Sequence, residues 1–260
     1  MAYELLTVEV EGSAGVIRLD RPEKHNSFSS QLLRECEEAV KELEVRTGVR
    51  GIILTGTDVA FSTGADLNEA LAIVNGTEAV RFNRGFRDLC TTMERSAQPV
   101  VAAIGGHCIT GGLEVALAAD IRIASENALF SITSAKIGSV AGAGGTQRLP
   151  RVAGRSDSME LLFTARFVDA AEAQRRGIVS RVVPPGGALD AARELVEEIA
   201  TRGPLSVAWM KKAVQAGMNM DLESALDFEA VLAGIACATA DKREGMSAFL
   251  EKRTPVFQGA

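Results

Sequence analysis

Glu114 is the one acidic residue within the apolar stretch from Leu113 to Ala119, and it closely follows two glycine pairs, Gly105–Gly106 and Gly111–Gly112. A carboxylate among apolar neighbours has a raised pKa and suits proton transfer. The first turn of a helix carries N–H groups with no intrahelical partner, and the macrodipole adds partial positive charge there. Glycine lets a ligand approach that backbone closely. A helix opening at Gly111 and Gly112 could hold developing negative charge, as an oxyanion hole does. Glu114 lies three residues beyond Gly111, on the same helix face. The spacing predicts an acid/base carboxyl beside an anion-holding turn. The alternative from these residues alone is a glutamate that only complements the helix dipole and glycines that only make a turn.

Positioning such a pair takes a strand before the turn and a helix after it. Val100 to Ile104 is an apolar run of strand length, and the alanine-rich stretch from Leu113 reads as the helix. A second turn of the same kind occurs earlier. Gly51 to Thr55 reads as a buried strand, Gly64 breaks the chain, and a helix opens at Asp66, which places the N–H of Ala65 at that turn. Around these, the stretch from Leu6 to Glu11 and the one from Gly15 predict a hairpin, and Ser29 or Ser30 caps a helix with apolar residues at helical spacing. Helical periodicity runs through Val80 to Met93; Asp120–Ala124 and Ala128–Ile132 read as strands. From Asp157 the pattern is mostly helical, with one strand at Ile178–Val183, and Pro204 to Phe249 carries three helical segments. The shift divides the chain into a core of strands and helices at 1–185 and a helical region at 186–260.

Composition narrows the function classes. At 260 residues the chain can bury a large core. A net charge of -6 argues against nucleic-acid binding, and no apolar run reaches membrane-spanning length. The N-terminal ten residues are acidic and alternating, unlike a signal peptide. Cys36, Cys90, Cys108 and Cys237 are scattered, which predicts no metal site, no disulfide framework and a cytoplasmic location. The glycine-rich segment 134–154 matches neither a P-loop nor a dinucleotide fingerprint.

Six stretches in order resemble the crotonase superfamily of enoyl-CoA hydratases and isomerases: RPEKHNSF at 21–28, AFSTGADL at 60–67, GGLEVALAADIRIA at 111–124, GAGGTQRLPRVAG at 142–154, GIVSRVV at 177–183 and DKREGMSAFLEKR at 241–253. The resemblance implies an α/β fold, a spiral of strand-strand-helix units with C-terminal helices that build trimers or hexamers. It implies chemistry through the enolate of a CoA thioester, with coenzyme A as part of the substrate and no further cofactor. The thioester oxygen would be held by the backbone N–H groups of Ala65 and Gly111. Lys24, Asn26 and Ser27, with Ala65, Asp66 and Leu67, match the cradle for coenzyme A; Lys24 also reads as a solvated loop charge.

The sequence departs from this family at one chemical position. Its hydratases carry two glutamates that hold a water. Glu114 matches the first, and the second falls on Ser134, counted from Phe130 and Gly138. A serine hydroxyl bonds water but exchanges no proton at neutral pH. Gly105, Thr110 and Ala141 replace the more usual Asn, Gly and Pro. Lys136 lies two positions from Ser134 on a segment read as extended; Asp66 reads as a helix N-cap. His107 and Cys108 sit in the turn before Gly111, and Cys108 reads as a buried filler. The resemblance thus implies hydration of a 2-trans-enoyl-CoA to a 3-hydroxyacyl-CoA. Isomerisation, thioester hydrolysis, decarboxylation and a non-catalytic CoA-thioester binder stay open.

Overall fold

Apolar runs that alternate in facing, rather than in polarity, dominate the central strands, and they need cover on both sides. The computed structural model describes residues 3–260; the first two residues of the N-terminal stretch expected to carry no signal peptide lie outside them. β1 (Leu6–Glu11) and β2 (Ala14–Leu19) pair antiparallel around Gly12, whose φ of 55° suits glycine. α1 (Ser30–Glu44) follows, capped by the Ser29 hydroxyl accepting from the Leu32 N–H.

Three strand-strand-helix turns come next. In the first, β3 (Gly51–Thr55) and β4 (Ala60–Ser62) lead through the short α2 (Leu67–Ala72) to α3 (Gly76–Arg95). In the second, β5 (Val100–Ile104) and β6 (His107–Ile109) lead to α4 (Gly111–Ala116). In the third, β7 (Ile121–Ser125) and β8 (Leu129–Ser131) lead through a 3₁₀ turn at Ser134–Ile137 to α5 (Gly145–Ala153) and α6 (Arg155–Thr164). β9 (Val168–Asp169), α7 (Ala170–Arg175) and β10 (Arg181–Val183) close the strand-bearing part. α8 (Ala188–Ala200), α9 (Pro204–Gly217), α10 (Leu222–Cys237) and α11 (Ala240–Glu251) complete the chain.

The first strand of each turn enters a six-stranded sheet of order β1-β2-β3-β5-β7-β10, parallel except at β1–β2. The second enters a four-stranded sheet, β4-β6-β8-β9, antiparallel only at β8–β9. Period-2 alternation divides the larger sheet's side chains between two clusters. Ile52, Leu54, Val100 and Ala102 join the main core with α1 and α3. Ile53, Val101 and Ile123 face Ala188, Ala192 and Val196 of α8. Lys211 fastens α9 to the core: its side chain is 7% exposed, and Nζ donates to the carbonyls of Met93 and Gln98 and lies 2.7 Å from Asp120 Oδ2.

The structure differs from the sequence expectation in three local places. β6 stands inside the stretch 105–112 that reads as one turn. The strand expected from Ile178 begins at Arg181, because the Ile178 N–H closes onto the Ala173 carbonyl. The segment after Phe130, expected to be extended, winds into the 3₁₀ turn at Ser134, so Lys136 points away and lies 5.1 Å over the Phe167 ring.

Candidate active site

Glu114 sits in the first turns of α4, 2% exposed, as its apolar flanks require. Its Oε1 accepts from two backbone N–H groups, Ala143 at 2.9 Å and Gly145 at 2.8 Å. Oε2 makes no hydrogen bond with the described residues. Burial pushes the Glu114 pKa up; the Gly145 and Ala143 N–H groups and the Arg148 guanidinium pull against that without reversing it. The result is a carboxyl with one oxygen fixed and one available, held closer to proton-exchange range than a surface glutamate.

Glu114 lines a cavity of about 700 Å³, together with Ala65, Thr110, Gly111, Ser134 and Ala143. The Ala65 and Gly111 N–H groups have no hydrogen-bond partner among the described residues. They are close: a Cβ at Gly111 would lie 3.3 Å from Ala65 N, and one at Gly64 would lie 3.0 Å from Gly111 N. The loop that carries Ala65 is fixed on both sides, since Phe28 N–H donates to the Gly64 carbonyl and Asp66 N–H to the Phe28 carbonyl. Buried backbone donors are rarely left unpaired, so the buried Gly111 N–H beside the half-buried Ala65 N–H, both on the cavity lining, marks a place for an acceptor.

Thr110 brings Gly111 to this place at φ 47° and ψ -113°, a sparsely populated backbone region for a β-branched residue. Its hydroxyl lies 2.8 Å from the Thr133 hydroxyl and accepts from the Thr133 N–H. That ties the α4 turn to the 3₁₀ turn carrying Ser134. The Ser134 hydroxyl makes no hydrogen bond with the described residues and faces the same cavity as Glu114.

The expected cradle residues divide. Lys24, Ser27, Asp66 and Leu67 line the cavity with Ala65. Asn26 does not: it is wholly buried, its Oδ1 accepting from Arg21 N–H and its Nδ2 donating to the Ala60 carbonyl. Asn26 therefore shapes the loop rather than facing it. Asp66 caps α2 through the Asn68 N–H and pairs with Arg21 at 3.0 Å; burial opposes its ionisation, and these two contacts outweigh burial and lower its pKa. His107 lies on β6 outside the cavity lining, and Cys108 is wholly buried with its thiol pKa pushed up by burial. Among the described residues no group of three or more His, Cys, Asp or Glu could hold a metal, and no helix is long and apolar enough to cross a membrane.

The amides of Ala143 and Gly145 were not marked by the sequence. The segment is conspicuously glycine-rich, but nothing local says that it turns back onto a carboxylate 29 and 31 residues earlier. The Arg148–Glu94 pair behind it, 2.6 Å apart, was equally unmarked.

The family model for enoyl-CoA hydratase/isomerase matches residues 9–260. The chain is 38% identical to the short-chain-enoyl-CoA hydratase of Clostridium acetobutylicum over 97% of both chains. It is 36% identical to the crotonyl-CoA hydratase of Syntrophomonas wolfei over 99% of both. The crystal structure of enoyl-CoA hydratase from Bacillus anthracis superposes with a TM-score of 0.94 at 37% identity, covering 99% of this chain and 100% of that one.

Proposed function

This chain belongs to the enoyl-CoA hydratase/isomerase family, and we propose that it adds water across the double bond of a 2-trans-enoyl-CoA to give a 3-hydroxyacyl-CoA. Relatives named as enoyl-CoA hydratases over the full length support the reaction, and the buried, half-free carboxyl of Glu114 is the observation that carries it here. The Ala65 and Gly111 N–H groups donate to the thioester oxygen. Each such donor is worth a few kcal/mol once the oxygen carries enolate charge, roughly 2.7–4 kcal/mol in measured cases. The Ser134 hydroxyl holds a water against Glu114 Oε2. The water oxygen bonds to C3 while one of its protons passes to Oε2 and the double-bond electrons move to the thioester oxygen. Glu114 then returns a proton to C2, the enolate collapses, and the carboxylate is restored. One carboxyl thus serves in turn as base and acid.

The loop at 24–27 with Asp66 and Leu67 would cradle coenzyme A, Lys24 offering a cation to its phosphates. Within 186–260, α8 packs inward, whereas α9 to α11 expose Met210, Val214, Leu222, Leu226, Val231 and Phe249; we assign these faces to a homotrimer or hexamer. Four unpaired cysteines fit a reducing, cytoplasmic setting. Incubation with crotonyl-CoA, followed by loss of enoyl absorbance and by mass gain of one water, tests the reaction. Absence of hydration, with a mass-spectrometric scan showing hydrolysis, isomerisation or decarboxylation of some acyl-CoA instead, would overturn the hydratase reading and leave the enolate site standing.

A further inference from the structure

We propose that Arg148, clamped by Glu94, is a positioning residue for Glu114: its guanidinium fixes the peptide that lies between the two amides holding the carboxylate. The proposal rests on Glu114 being the acid/base of the hydration above. Arg148 and Glu94 form a two-pronged pair, Nε to Oε1 at 2.6 Å and Nη2 to Oε2 at 3.0 Å. The remaining nitrogen, Nη1, donates to the Ala143 carbonyl at 3.1 Å. That carbonyl belongs to the Ala143–Gly144 peptide. The peptide before it supplies the Ala143 N–H to Glu114, and the peptide after it supplies the Gly145 N–H. Displacement of the middle peptide moves the two peptides joined to it, and with them both donors to Oε1. Gly144 makes the arrangement possible, with φ 112° and no Cβ where one would overlap Arg148 Nη1. The two side chains are 19% and 27% exposed, so solvent screens them less than a surface pair.

The same geometry predicts a signed electrostatic effect. The charged or titratable groups around Glu114 are Arg148 on α5, Glu94 behind it on α3, and the Cys90 thiol on α3, which burial keeps neutral by raising its pKa to about 12. From the 3₁₀ turn Ser134 and Ile137 line the cavity, and neither is charged. Arg148 favours the ionised carboxylate and Glu94 opposes it. Removing one charge should move the Glu114 titration up in pH, and removing the other should move it down. A pair that only held the fold together would cost stability in both variants without opposite movements.

The test is the pH profile of crotonyl-CoA hydration, with an infrared titration of the Glu114 carboxyl band, identified by its loss in Glu114→Gln. Arg148→Gln is expected to lower kcat about 10- to 100-fold, to change KM less than about threefold, and to move the acid limb and the carboxyl titration up by at least about half a pH unit. Glu94→Gln should move both down. Arg148→Lys, keeping the charge without the fork, should restore the titration but not kcat. A wild-type protein that hydrates nothing sinks the hydratase reading, and the infrared titration still decides the positioning role. Folded Arg148→Gln with unchanged titration, or shifts of the same sign in the two Gln variants, overturns it. If Arg148→Gln does not fold, Glu94→Gln decides alone: a downward shift upholds the role and an unmoved titration refutes it.

Discussion

At the residue scale, burying the Glu114 carboxyl costs stability. Its folded pKa is raised, chiefly by burial. The folded state therefore binds a proton more tightly than the unfolded chain, and stability falls as pH rises from the ordinary carboxylate range, about pH 4, through the raised value. Glu114→Gln, which is shaped like the protonated form, should be more stable than the native protein at neutral pH, with the difference closing toward pH 4 in denaturant titrations. A native protein more stable than Glu114→Gln at neutral pH would contradict the burial argument. Ser134→Glu places a second carboxyl in the same cavity and should raise crotonyl-CoA hydration by at least about tenfold, the low side of acid–base assistance. Two close carboxylates raise one another's pKa, so rates must be compared across pH. A slower Ser134→Glu enzyme at every pH would show that the serine is the better water holder here. Glu114 was legible in the sequence because an acid in an apolar run next to paired glycines is conspicuous. Its two amide partners were not, because they reach it only through the fold.

At the element scale, the turn into α4 is where backbone strain meets function. Thr110 holds an unfavourable φ of 47° and compensates with the Thr133 hydrogen bonds. Strain of this kind costs roughly 1–3 kcal/mol, and a side-chain hydrogen bond returns about 1 kcal/mol. Thr110→Ala keeps the strain and loses the bonds; Thr110→Gly loses both. The glycine variant should therefore be more stable than the alanine variant by about 1–2 kcal/mol in urea unfolding. Equal stabilities would mean that the turn is unstrained. The longer strands β3 and β5 were legible as unbroken apolar runs, and α1 as a capped periodic helix. β4 and β6 were not, since three residues carry no period and their pairing is set by neighbours remote in sequence. Asn26, expected at the ligand cradle, instead spends its amide on the loop backbone, a distinction that its sequence position does not contain.

At the scale of the whole molecule, the C-terminal helices leave more apolar surface uncovered than a lone subunit tolerates well: Leu222 is 74% exposed and Phe249 83%. Light scattering at micromolar concentration should give the mass of three or six chains, and Leu226→Asp with Val231→Asp should reduce it; a monomer mass for the native protein would contradict the assignment. Helical periodicity foretold these helices, but not what covers them, because exposure appears only when the helices are placed against the core. The functional claim for the molecule is that a single carboxyl moves both protons of the hydration. Its most direct test is kcat for crotonyl-CoA with native protein and Glu114→Gln, the variant's fold checked by circular dichroism. Hydration by the native protein and a loss of about 100- to 10,000-fold in the variant is expected; a folded Glu114→Gln that hydrates crotonyl-CoA at the native rate would contradict it.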